Sequence, residues 1–179
     1  MTGTQLTVVN GALRTFNQAS KSGTVARALV GESWGQASTT EALTDERLKK
    51  LLSDAAKMAK ATSKYTRKQI DLTGVKAIEK SLWQKVKEDP ADVSTEEKLE
   101  FVMELDKSQK VDDRIVNTNS VYMDTKRVNR LVNTVGTRLA WDELRIRSMV
   151  NPVAREGDRM QFDYDSFSGL EGFEIIRNL

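Results

Sequence analysis

The chain has 179 residues, 39% hydrophobic and 30% charged, the balance of a folded globular protein and not of a disordered one. Its 28 Lys and Arg against 26 Asp and Glu leave a net charge of +2, so the isoelectric point near 8.8 gives no basis for nucleic-acid binding. It has no Cys and no His, which excludes disulfides, thiolate or imidazole metal ligands, cysteine nucleophiles and a histidine base, and leaves only oxygen ligands for a metal held by this chain alone.

No run approaches the 18 or so apolar residues of a membrane span, and residues 1–20 lack a basic start followed by an apolar block, so a cytoplasmic location is expected. Thr4 to Val9 reads as a short strand ending at Asn10-Gly11, a two-residue hairpin signal, with Ala12 to Ala19 as the return. A turn over Ser20 to Gly23 then leads into Thr24–Val30, predicting three consecutive antiparallel strands. Gly31 and Gly35 flank Trp34, and the small residues Ala37, Ser38, Thr39 and Thr40 follow. The expectation is a strand passing through a glycine-flanked packing corner into a helix, with the indole folded back over the sheet. Loss of such a buried indole, Trp34→Ala, would cost roughly 3–5 kcal/mol.

Thr44 is a helix N-cap with Asp45 and Glu46 in the first turn, where the helix dipole favours acids. Leu48, Leu51, Leu52, Ala55, Met58 and Ala59 give the helix one apolar face, with Lys49, Lys50, Lys57 and Lys60 mainly on the solvated side. From Ser63 to Asp92 the pattern weakens, and Tyr65 to Trp83 reads as a helix, a loop, or a segment that orders against a partner. Pro90 disfavours helix before it, and Ser94 with Glu97 forms a capping box opening a second helix, striped by Leu99, Val102 and Met103 and ending near Lys110.

Strand texture then takes over, in runs Ile115–Met123, Arg127–Val135 and Leu139–Val150. Leu144, Ile146, Ser148 and Val150 alternate with Arg145, Arg147 and Met149, and Gly157-Asp158 turns the chain into a return strand, Met160–Tyr164. Asp112, Asp113, Asp163, Asp165, Glu171 and Glu174 are the acids to weigh for metal or acid–base work, with Asp163 and Asp165 expected on one strand face. No calcium loop, phosphate-binding loop or positioned base accompanies them. The run Arg138–Arg147 holds Trp141 but also Asp142 and Glu143, so it reads as a mixed-charge sheet face or a face for another subunit before a single-strand nucleic-acid surface.

Several of these words resemble the N-terminal domain of the TldD/PmbA family, zinc metallopeptidases also called modulators of DNA gyrase. The carriers are Gly31-x-x-Trp34-Gly35 with its Ala-Ser-Thr run, the Asp-Pro-x-x-Val-Ser-x-x-x-Lys pattern from Asp89 to Lys98, the turn Asn133-Thr134-Val135-Gly136, and the tail FDYDSFSGLEGFEII. Gln36, where the family commonly has an aromatic, and Val135, where it has a polar or acidic residue, depart from the pattern. The resemblance implies an α+β two-layer sandwich, an antiparallel sheet with two main helices on one face. It makes residues 1–179 the N-terminal domain, with 63–92 a less regular connection, and the C-terminal metallopeptidase domain absent.

The family's His-Glu-x-x-x-His helix and later Cys have no counterpart here. No catalytic, cofactor or metal residue is therefore assigned to this chain, and zinc is expected in the missing C-terminal domain. Gly31, Trp34, Gly35, Ser38 and Thr39 stand as a structural family corner. The implied role is substrate access or subunit assembly for peptide hydrolysis, with a peptide or protein substrate and a related subunit as partners. A freestanding protein-binding module and, further off, a DNA-associated modulator are the alternatives.

Overall fold

The computed structural model describes residues 1–65, 70, 72 and 74–177. In chain order its strands and helices are β1 (Thr2–Val9), β2 (Ala12–Ser20), β3 (Thr24–Val30), β4 (Ser33–Thr39), α1 (Asp45–Ser63), β5 (Glu79–Leu82), α2 (Thr95–Ser108), β6 (Ile115–Asn117), β7 (Asn119–Val132), β8 (Arg138–Val150), β9 (Val153–Glu156), β10 (Arg159–Phe162) and β11 (Asp165–Gly169). A 3-10 turn spans Phe173–Ile175. The α+β class and the antiparallel, sandwich-like layering expected from the sequence are present, and the chain divides into two compact units, Met1–Ser20 with Ile78–Leu179, and Lys21–Ala77.

The first unit is built on the sheet order β11-β8-β7-β1-β2, with β5 beside β8 in the one parallel pairing among the described strands. Asn10 and Gly11 both take positive φ, 51° and 74°, which is the type I′ turn that matches the twist of a two-residue hairpin. Ser94 caps α2 by accepting the Glu97 backbone N–H at 3.1 Å, and α2 packs against β1 and β7. Between them lie Leu6, Val8, Val93, Val102, Tyr122, Ile146, Phe173 and Ile176. Phe101, Tyr122 and Phe173 meet edge to face at centroid distances of 5.8 to 6.4 Å, the geometry the ring quadrupole favours.

Two expected runs, Ile115–Met123 and Arg127–Val135, are rearranged. Residues 119–132 form one continuous strand, paired with β8 along its length, while Ile115–Asn117 joins β9 and β10 in a separate small sheet. The polar stretch that suggested a break contains Asp124, whose side chain points inward. Val135 lies in the turn, where Asn133 Oδ1 accepts the Val135 and Thr137 N–H groups. Gly157-Asp158 does join two antiparallel strands, but the second ends at Phe162, so Asp163 and Asp165 do not share a strand.

In the second unit β3 pairs with β4 alone and does not extend the β1–β2 sheet. Val30 opposes Ser33, so Gly31-Glu32 is a two-residue hairpin loop with φ of +59° at its first position, the type II′ form. The expected corner into a helix is thus a hairpin, and residues 33–39 return as a strand. Thr44 Oγ1 caps α1 by accepting the Arg47 N–H at 3.2 Å.

The buried stripe of α1 is Leu51, Ala55 and Ala59, narrower than predicted, because the ribbon below is only two strands wide and Leu52 and Met58 fall outside it. Lys49, Lys50, Lys57 and Lys60 are exposed as expected. Each helix therefore covers its own sheet. Within the loosely read 63–92 segment, β5 is a strand, while the readings offered for Thr66–Gln69, Asp71 and Thr73 lie outside the described residues.

Candidate functional site

The second helix places Lys98, Val102 and Asp106, one residue every fourth position, as its buried residues, so two of its three buried side chains are charged. Opposite them, alternation along β7 turns Ser120, Tyr122 and Asp124 to the same side. Lys98 is only 4% exposed, and its Nζ lies 2.9 Å from Asp124 Oδ2. The same carboxylate accepts the Tyr122 hydroxyl at 2.9 Å and, through Oδ1, the Thr4 backbone N–H at 3.1 Å. A buried charge is tolerable only with this kind of complete pairing.

Around this pair opens a cleft of about 430 Å³, lined by the ends of β1 and β2, the Asp89–Val93 loop, the start of α2, and Asp124 and Lys126 of β7. Lys126 closes an ion pair with Asp89 at its side, and Asp89 also accepts the Ala91 N–H at 3.0 Å. Partial burial pushes the Asp89 carboxyl up. The Lys126 hydrogen bond, the Ala91 N–H and the Lys126 and Lys98 charges outweigh that and hold it below the usual carboxylate range. Lys126 is raised, first by its bond to Asp89. Burial, with the Asp124 charge next to it, keeps Tyr122 protonated far beyond its ordinary range. Carboxylates and ammonium groups here are committed to one another, an arrangement that fixes geometry and can position a ligand without supplying a free base.

At the other end of α2, Asp106 accepts the Gly11 N–H at 2.7 Å and the Thr118 hydroxyl at 2.8 Å, and Asn10 Oδ1 accepts the Thr118 N–H at 2.9 Å. This ties the β1–β2 turn to the helix. A third cluster fastens the chain's last described segment. Glu174 accepts the Lys87 and Glu88 N–H groups at 3.0 Å, Phe173 N–H donates to the Glu88 carbonyl at 2.8 Å, and Arg177 bridges Glu88 and Glu97. The Arg177 hydrogen bond lowers Glu88.

The acids singled out from sequence are dispersed. Asp112 pairs with Arg114 at 2.9 Å, which holds its carboxyl down at about 2. Asp163 and Asp165 each accept the next residue's N–H, Glu174 caps backbone, and Asp113 and Glu171 are exposed. The corner residues do not converge either. Trp34 and Ser38 lie on one face of β4, Gly35 and Thr39 on the other, and Gly31 is in the turn.

The expected buried indole is instead 41% exposed, with the Arg27 guanidinium 4.8 Å from its ring centre. At the second position of β4, Trp34 faces away from α1 because its neighbour Gly35 occupies the helix side. There a Cβ on residue 35 would meet the Ala55 carbonyl oxygen at 2.0 Å. In the Arg138–Arg147 run, Trp141 Nε1 donates to Glu143 at 3.3 Å and Asp142 accepts the Gln84 N–H at 2.7 Å, consistent with a mixed-charge face.

The zinc that a metallopeptidase resemblance implies does not fit these residues. There is no imidazole or thiolate, and among the described residues no three carboxylates gather in a metal-binding group.

Family models match two consecutive stretches: PmbA/TldA metallopeptidase domain 1 over residues 1–59, and PmbA/TldA metallopeptidase central domain over residues 88–179. Both models describe domains of one protein family. The family is PmbA/TldD, and the chain belongs to it.

A metalloprotease of Methanocaldococcus jannaschii is 28% identical over 97% of this chain, and one of Methanothermobacter thermautotrophicus is 29% identical over 93%. The chain spans only 38% and 35% of those relatives' lengths. Among solved structures, a protein named as a modulator of DNA gyrase from Thermotoga maritima matches with a TM-score of 0.71 at 16% identity. That match covers 95% of this chain and 37% of the other. TldE from Thermococcus kodakarensis matches at 0.68 and 15% identity, over 99% and 40%. At those identities the likeness is one of fold.

Proposed function

We propose that this chain is the non-catalytic N-terminal portion of a TldD/PmbA-like zinc metallopeptidase, serving substrate access or subunit assembly in peptide maturation. The observation that carries the reading is the pair of family matches, in order along a chain without His or Cys, to domains described as the first and the central one. The strongest polar site adds support, since Lys98, Asp124, Lys126 and Asp89 neutralise one another and leave binding and positioning as the chemistry on offer. Zinc, its ligands and the glutamate that activates water belong, in this reading, to the remainder of a longer polypeptide or to a related partner subunit in the cytoplasm.

A freestanding protein-binding module is the second reading, favoured by the exposed aromatics Trp34, Phe162 and Tyr164. Reading the gene beyond the Leu179 codon separates the two. An open frame continuing into His-Glu-x-x-x-His and a later Cys supports the peptidase reading, and a stop codon there favours the binding module.

A further inference from the structure

We propose that the open face of the main sheet, the one turned away from α2, docks an extended polypeptide segment that carries acidic side chains at alternate positions with an apolar one beside them. This rests on the substrate-access half of the proposed function and names the chemistry of the segment. Strand alternation divides β7 and β8 between two faces. Tyr122, Asp124, Leu144 and Ile146 are buried on the helix side, and the residues between them point the other way.

The run Arg138–Arg147 mixes charges along the chain, and the sheet sorts them. Asp142 falls on the helix side, whereas Arg145 and Arg147 fall on the open side. Cross-strand register sets Thr125 and Met123 beside them and Arg127 opposite Glu143. Glu143 is the only acid that the described strands of this sheet turn to the open face. Arg127, Arg145 and Arg147 are exposed, and none has a carboxylate partner among the described residues. A net charge of +2 hides this local excess.

Methionine and arginine together select the occupant. The Arg147 guanidinium lies 3.8 Å from Met149 Sδ, the Arg127 guanidinium 3.9 Å from Met1 Sδ, and Met123, 37% exposed, stands directly across from Arg147. Flexible, polarizable thioethers adapt to varied apolar side chains, which suits a polypeptide partner. Guanidinium forks grip carboxylates with two hydrogen bonds. Arg145 and Arg147 stand two residues apart on one strand, roughly 7 Å, the interval at which an extended polypeptide presents alternate side chains. Two acids at alternate positions therefore meet both guanidiniums, and the next side chain on that face reaches Met149.

A single-stranded nucleic acid fits the face less well. Trp141 is the only ring that the described strands place there, and it is half-buried with its Nε1–H donated to Glu143 at 3.3 Å. No row of aromatic rings is open for successive bases to stack on.

The test is fluorescence anisotropy with the full 179-residue chain and three labelled probes. One is a peptide of about 20 residues repeating Glu-Ser-Glu-Ser-Leu-Ser, long enough to cross the strand. The others are its counterpart with Gln for Glu and a single-stranded oligo-dT of equal length. At about 0.1 M salt the acidic peptide is expected to bind at least about 10-fold more tightly than the Gln peptide, and more tightly than oligo-dT, with an affinity that falls as salt rises. Arg145→Gln combined with Arg147→Gln should cut that affinity at least about 10-fold while far-UV circular dichroism stays unchanged. Arg14→Gln, which removes a cation from β2, should leave it as it was.

No binding of the acidic peptide overturns the proposal. So does equal binding of the acidic and Gln peptides, or a double variant that binds as well as the unmodified chain. Tighter binding of oligo-dT would identify a nucleic-acid surface and also overturns it. Cleavage plays no part in these readouts, so the docking surface and the peptidase reading fail separately.

Discussion

The two units solve the same packing problem with opposite materials. In the first, α2 meets its sheet through aromatic rings and a buried polar network, Lys98 and Asp106 at its two ends and Tyr122 and Asp124 below. In the second, α1 meets β3 and β4 through Leu51 and the small residues Ala26, Ala55, Ala59 and Gly35, close enough that residue 35 has no room for a methyl group. A helix held by small residues depends on backbone proximity, and one held by paired charges depends on every partner being present. The first kind should fail by added atoms and the second by removed ones.

Lys98→Met should give the largest loss, roughly 3–5 kcal/mol in denaturant unfolding of the first unit, because Asp124 is left buried without its cation. Lys98→Met combined with Asp124→Leu should recover much of that loss. A double variant no better than the single one would break the claim that pairing, and not lysine packing, is what matters.

Gly35→Ala should cost about 1–3 kcal/mol or more in the second unit by overpacking against the Ala55 and Ala59 backbone, and a neutral result would refute the close seam. Tyr122→Phe removes one hydrogen bond to the buried carboxylate and should cost roughly 1–3 kcal/mol by thermal or denaturant melts. Trp34→Ala should cost less than about 1 kcal/mol, since the half-exposed indole offers little beyond its contact with Arg27. A loss of several kcal/mol would restore the buried corner that the sequence suggested.

The smallest effect is in pH. Glu88, Asp89 and Asp112 titrate lower in the folded chain, so the stability they contribute is complete above the unfolded carboxylate value near 4 and disappears as pH falls through their folded values, about 2 for Asp112. Melting temperature should therefore fall from pH 5 towards pH 2, and the Glu88→Gln variant should fall less steeply. Identical slopes for the two proteins would remove Glu88 from the account.

What could be read in advance was local chemistry. The Asn10-Gly11 turn, the Thr44 and Ser94 caps and the alternation of Leu144, Ile146 and Ser148 are decided by neighbours in the chain, and each appears in the fold. Partners distant in sequence were not legible. Alternation in β3 says nothing of which strand it joins, and Gly31-Glu32 fits a packing corner as well as a hairpin until Trp34 is seen paired with Leu29 in a returning strand.

The charged core escaped for a related reason. A search for apolar periodicity skips Lys98 and Asp106, although their spacing around Val102 is that of a buried stripe, and it treats Asp124 as a break in β7. Lys98 did end the Asp-Pro-x-x-Val-Ser-x-x-x-Lys pattern, which was the available signal. The acids that looked chemical, Asp163 and Asp165 among them, accept the backbone N–H of the next residue.

The measurement that bears most directly on the central claim is peptide hydrolysis by the purified 179-residue chain in zinc-containing buffer, beside the same chain extended by the rest of its reading frame. The account predicts no cleavage by the short chain, and cleavage by the extended protein that a chelator abolishes. Turnover by the 179 residues alone, lost on chelation, would contradict it.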